Sequence, residues 1–99
     1  MNRELLSQKA IESKLENLGN NWKIHNNHLF REFKFTNFVK AFSFMTEVAF
    51  HSETMDHHPT LINTYNRVSI ELWTHDTGGL TELDFELAMK ISNISNLNV

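Results

Sequence analysis

The chain has 99 residues, a net charge of −3, 40% hydrophobic residues and no cysteine. That length makes one domain, expected over residues 1–99, with a core modest enough that oligomerisation would help it. The lack of cysteine excludes disulfides, thiolate nucleophiles and cysteine-based zinc sites. No Lys/Arg-rich run interleaves with aromatics, so direct nucleic-acid binding is not expected, and no stretch approaches the ~20 apolar residues of a membrane span.

Met1-Asn2-Arg3-Glu4-Leu5-Leu6 lacks the apolar run of a signal peptide, so a cytoplasmic protein is expected. Residues 3–18 read as a helix, because Leu6, Ala10, Ile11, Leu15 and Leu18 form one apolar stripe. Gly19-Asn20-Asn21 is the stop, since Gly takes the left-handed conformation at a helix end at low cost. Trp22 to Phe35 reads as a β-hairpin turning at Asn26-Asn27. Leu29, Phe33 and Phe35 fall at odd positions, against Phe30, Glu32 and Lys34 at even ones, the pattern of a half-buried strand.

Thr36 or Asn37 can cap a second helix over 37–55. Phe38, Ala41, Phe42, Met45, Val48 and Ala49 mark one face, while Val39, Phe44, Phe50 and Met55 extend the apolar cover round the cylinder. A surface helix needs a single stripe, so this one is expected to be buried on two sides, by its own sheet and by a partner subunit. Pro59 holds His58 out of the helical region. Thr60–Tyr65 is a short strand. Val68, Ile70, Leu72 and Thr74 alternate with Ser69, Glu71, Trp73 and His75, which predicts a strand over 68–75. Asp76-Thr77-Gly78-Gly79 is a loop. Thr81 caps a third helix over 82–94, with Leu83, Leu87, Ala88, Ile91 and Ile94 inward and Asp84 placed to complete a capping box. The order α-β-β-α-β-β-α predicts an α+β fold, a four-stranded antiparallel sheet with three helices packed on one face.

Half of the six histidines lie between Glu53 and Asp84: His57, His58 and His75. Histidine titrates near neutrality and exchanges protons at little cost. Glu53 and His57 are four apart at a helix end, adjacent His57 and His58 must diverge, and His75 ends a strand beside a loop. From residue types alone three readings stay open: acid–base catalysis, a zinc or iron site of three histidines and a carboxylate, and no chemistry at all. The common helical spacing His-x-x-x-His is absent, which weighs against metal.

A resemblance to a known family bears on the choice. Glu53-x-x-x-His57-His58-Pro59, then five residues to Tyr65, nine to His75 and eight to Asp84, resembles the signature of the pterin-4a-carbinolamine dehydratases. The likeness extends to Trp22, Phe33-x-Phe35-x-x-Phe38, Ala41-Phe42-x-Phe44-Met45 and Thr74-His75…Gly79-Leu80-Thr81-x-x-Asp84. It covers about residues 20–95.

The resemblance implies an enzyme that dehydrates 4a-hydroxytetrahydropterin to quinonoid dihydropterin, regenerating the cofactor of aromatic amino-acid hydroxylation without metal or organic cofactor. It implies homodimers or homotetramers, with the second helix as the expected interface. Some animal members also act as dimerisation cofactors of a homeodomain transcription factor, so a non-catalytic protein-binding member of the same fold is the alternative. Carried over to this chain, His57, His58 and His75 become the catalytic trio. Asp56, Trp73, Thr74 and Asp76 are expected on the two loops that line the substrate. Glu53 is expected to hold a histidine, Trp22 to form an apolar wall, and Asp84 to contact substrate or a histidine besides capping its helix.

Overall fold

Two hairpins build the sheet, each closing through a residue or residues at positive φ. The computed structural model describes residues 3–97; Met1, Asn2, Asn98 and Val99, the ends of the expected 1–99 domain, lie outside it. Asn26 and Asn27 take φ of 52° and 63°, as the paired positive φ of a tight hairpin requires. They join β1 (Lys23–His25) to β2 (His28–Lys34), with His25 opposite His28. Tyr65, at φ 51°, and Asn66 join β3 (Thr60–Thr64) to β4 (Arg67–Leu72). The Asn63 amide donates to the carbonyls of Tyr65 and Arg67, and the Asn66 amide to that of Phe35. The Asn63 bonds close the second turn, and the Asn66 bond clips it to the end of the first hairpin. The sheet order is β1-β2-β4-β3, antiparallel throughout.

Strand periodicity sorts the faces. The β2–β4 register sets Leu29 against Leu72, Arg31 against Ile70 and Phe33 against Val68. Those apolar side chains are buried, and the helices cover them. Phe30, Glu32, Ser69 and Glu71 point to the opposite, open face. The predicted alternation of Val68, Ile70, Leu72 and Thr74 holds in full. The ladder itself ends at Leu72, and Thr74 continues it only as an isolated bridge to Gly79.

The first helix, α1, spans Gln8–Leu18, so the expected start at residue 3 is five residues too early. Ser7 is the reason. Its Oγ accepts the Ala10 N–H as an N-cap, while the Leu6 N–H goes to the carbonyl of Leu80 and not to a helical turn. Gly19 stops the helix at φ 94°.

Helix α2 spans Phe38–Met55, capped by the side-chain Oδ1 of Asn37, which accepts the Lys40 N–H. The face expected to be buried is shifted. Ala41, Phe44, Val48 and Ser52 point into the core, whereas Phe38, Val39, Phe42 and Phe50 are exposed. Phe44 decides this: it packs at 4.8 Å from Phe33 and 4.9 Å from Phe35 between ring centroids. The i, i+3, i+7, i+11 row from Ala41 therefore faces the sheet.

Helix α3 spans Glu82–Leu97, three residues beyond the expected end, since no Gly or Pro interrupts it. Leu83, Leu87, Ala88, Ile91 and Ile94 are all buried, as their spacing predicts, and Phe85 joins them. Trp22 closes the core at 2% exposure, edge-on to Phe33, with its indole N–H donated to Ser92 Oγ. The Arg31 guanidinium lies 4.2 Å from the centre of the Phe33 ring and also donates to Ser92 Oγ; its partial burial lowers its pKa from the usual value.

Candidate active site

The way α2 ends separates two adjacent histidines. Asp56 takes the left-handed conformation, with its N–H on the carbonyl of Glu53, and the His57 N–H reaches the carbonyl of Ser52. This is a Schellman turn with Asp, not Gly, at the left-handed position. The turn sends His57 inward, to 4% exposure, and leaves His58 at the surface. It also ends the helical geometry on which a Glu53–His57 pair four residues apart depends.

Asp84 is the inward partner. Its Oδ1 accepts from His57 Nε2 at 2.6 Å, and its Oδ2 accepts from Thr74 Oγ1 and from the Thr81 N–H, both at 2.9 Å. The Thr81 hydroxyl lies 2.7 Å from Thr74 Oγ1 and accepts the Leu83 N–H. Asp84 thus completes the expected capping box of α3 and orients a histidine with the same carboxylate. It is fully buried, and so are both threonines. Among the described residues every fully enclosed polar side-chain atom has a partner. The Nδ1 of His57 makes no hydrogen bond among the described residues, and His57 lines the cavity described below.

His58 is held differently. Its Nε2 lies 2.6 Å from Oε1 of Glu53 in an exposed pair, so Glu53 serves the outer histidine. His75, just beyond β4, is exposed and makes no side-chain hydrogen bond among the described residues; its ring lies parallel to that of Trp73.

A cavity of about 250 Å³ brings the histidines together. It is lined by Arg3, Asp56, His57, His58, His75 and Asp76. The remaining expected residues stand behind this lining or apart from it. Thr74 and Asp84 back His57, Glu53 backs His58, and Trp73 backs His75. Trp22 stands apart, in the core between Phe33, Arg31 and Ser92. Arg3 is the lining residue that sequence reasoning missed. Its guanidinium donates to the Asp56 carbonyl at 3.0 Å, and a lone arginine near a chain start has no spacing that announces such a contact. A larger hollow of about 420 Å³ lies between the end of β2 and the last turns of α3, but its lining holds no histidine.

Three imidazoles opening on one cavity, two of them fixed by carboxylates, form an arrangement suited to moving protons to and from a small molecule. Among the described residues no three His, Asp or Glu side chains are placed to hold one metal ion, and no helix is long and apolar enough to cross a membrane.

Known proteins are similar to this chain in sequence or in structure. A protein from Solibacter usitatus, provisionally named a pterin-4-alpha-carbinolamine dehydratase, is 46% identical over 90 residues, covering 91% of this chain and 94% of its own. A Synechococcus protein of the same provisional name is 49% identical over 87 residues, covering 88% and 92%. A crystal structure of a transcriptional coactivator/pterin dehydratase from Brucella melitensis superposes with a TM-score of 0.88 at 38% identity, covering 92% of this chain and 98% of that one. A pterin dehydratase-like RuBisCO assembly factor of the alpha-carboxysome shares the fold, with a TM-score of 0.67 at 21% identity over 79% of this chain and 93% of that one. The family model described as pterin 4 alpha carbinolamine dehydratase matches residues 4–94, and with these relatives it shows that the chain belongs to that family.

Proposed function

We propose that this protein is a cytoplasmic hydro-lyase that converts 4a-hydroxytetrahydropterin to quinonoid dihydropterin and water, in the recycling of tetrahydropterin after aromatic amino-acid hydroxylation. The observation that carries this reading is the shared cavity, on which three histidines open with three different supports. The reaction needs one proton delivered and one removed. The C4a–O bond breaks as the leaving hydroxyl takes a proton and departs as water. The neighbouring ring nitrogen loses its proton, and a C=N bond forms between it and C4a. Positioned acid–base groups contribute roughly 10²–10⁴-fold to such a step.

In this reading His57 and His75 exchange protons with the substrate and His58 binds and orients it. His57 is suited to its role because it lines the cavity while Asp84 holds Nε2 and leaves Nδ1 without a hydrogen bond among the described residues. Asp56 and Asp76 meet the polar edge of the pterin, helped by the backbone of Trp73 and Thr74, and Arg3 adds a cation to the same wall. The chemistry calls on no metal or organic cofactor. The exposed Phe38, Val39, Phe42 and Phe50 of α2 form the contact with further copies of the chain in a homodimer or homotetramer.

The test is the decay of freshly generated carbinolamine. Wild-type protein is expected to accelerate it, and His57→Ala and His75→Ala to lose most of that acceleration. An unaffected rate in His75→Ala removes that residue from the mechanism. No acceleration by folded wild-type protein hands the site to the alternative reading, a member of the fold that binds a protein partner.

A further inference from the structure

His57 and His58 each rest on a carboxylate, and His75 does not. What it has is a ring. The His75 and Trp73 planes lie within 5° of parallel, with centroids 4.3 Å apart. Trp73 is covered a second time, by His28, at 3.9 Å and 6°. Two imidazoles this close to one indole would collide on the same side, so one lies on each face. The Nδ1 of His28 is in turn 2.9 Å from Oε2 of Glu71.

Strand register makes this column. Phe30 pairs with Glu71 and Leu29 with Leu72. One step further along the two strands, His28 comes beside Trp73, as a cross-strand neighbour on the face away from the helices. His75 follows Trp73 by two positions, which returns it to the same side of an extended chain.

We infer that Glu71, His28 and Trp73 form a brace that positions His75, so that stacked rings, with no hydrogen bond, fix its imidazole and leave both its nitrogens open to the substrate. The catalytic part of this inference rests on the dehydratase reading of the cavity. Trp73 and His28 are positioning residues in it, because the two imidazoles occupy both faces of the indole and leave none for the pterin. Each support answers a different need. A buried carboxylate commits one nitrogen of His57, whereas a stack holds the plane of His75 and commits neither. Parallel, offset rings are a favourable arrangement, and an imidazole that becomes cationic is attracted further to an indole face.

The experiment compares full-length wild type with Trp73→Leu, Trp73→Phe and His28→Ala, by NMR of the histidine ring protons and by carbinolamine decay. In wild type the ring protons of His75 and His28 are expected upfield of unstacked histidine, shifted by the indole ring current. Trp73→Leu abolishes both shifts. His28→Ala reduces the shift of His75, because the indole is then free on one side. Misplacing a reacting group by about an ångström costs up to about 100-fold, so Trp73→Leu is expected to lower kcat roughly 10–100-fold with KM within about threefold. Trp73→Phe keeps a stacking face and is expected to restore most of the rate, which separates positioning from damage to the fold. Wild-type His75 protons at unstacked positions overturn the brace, as does an unchanged kcat in Trp73→Leu once the shifts are gone. Absence of wild-type turnover defeats the dehydratase reading instead, and the ring-proton shifts then decide on the brace by themselves.

Discussion

The Nε2 of His57 lies 2.6 Å from Oδ1 of Asp84, and the two side chains are 4% and 0% exposed. A single carboxylate at the start of α3 therefore serves a histidine from the end of α2, a threonine just past β4 and the first turn of its own helix. Asp84→Asn keeps the shape but turns one acceptor oxygen into a donor facing other donors. Charge-assisted hydrogen bonds of this kind contribute roughly 1.5–3 kcal/mol each, so the variant is expected to lose about 2–4 kcal/mol in urea unfolding. Its turnover is expected to fall at least about 100-fold, because His57 loses the acceptor that fixes its tautomer.

Glu53 and His58 form the opposite case. Their side chains are 79% and 55% exposed, and exposed ion pairs contribute roughly 0–1 kcal/mol. Glu53→Gln is expected to leave the unfolding midpoint almost unchanged while lowering kcat/KM by up to about tenfold through a less constrained His58. A large drop in stability with normal activity would show that the pair is structural.

Arg3 offers a test of how the cavity is walled. Its guanidinium holds the carbonyl of the left-handed Asp56, immediately before the two histidines. Arg3→Ala is expected to raise KM about three- to tenfold, the equivalent of roughly 1 kcal/mol, with kcat and thermal stability little changed. An unaltered KM would confine Arg3 to a surface contact.

The outer face of α2 predicts association. Phe42 and Phe50 are 53% and 70% exposed, and grouped apolar side chains of this size mark contact surfaces. Phe42→Asp with Phe50→Asp is expected to shift sedimentation toward the monomer without loss of helical signal. A mass unchanged from wild type would place the subunit contact elsewhere.

Local signals carried most of the fold. The turn at Asn26-Asn27, the alternation of β4 and the capping box of Thr81 and Asp84 each depend on residues a few positions apart, and each formed as its chemistry dictates. Failures came where distant groups compete. Leu6 belongs to the apolar stripe read for α1, yet its N–H is drawn to Leu80 and Ser7 caps the helix after it. Aromatics surround α2, and only the sheet beneath decides that Phe44 turns inward and Phe42 outward. The three histidines that line the cavity were singled out by residue type and by the family resemblance. Arg3 beside Asp56 and His28 beside Trp73 were not, because both contacts depend on how separate elements meet in space.

The chain ahead of α1 fits against the loop that follows His75. A Cβ built on Gly79 would stand 2.7 Å from Cδ2 of Leu5, and Leu6 is bonded to Leu80 beside it. Arg3 then ends on the rim of the cavity. Any segment joined at the N-terminus is therefore attached two positions along the chain from a residue that lines the candidate site. An affinity tag placed there adds imidazoles of its own to a site built from three. Turnover compared between chains tagged at the N-terminus and chains from which the tag has been cleaved is the control that such preparations need.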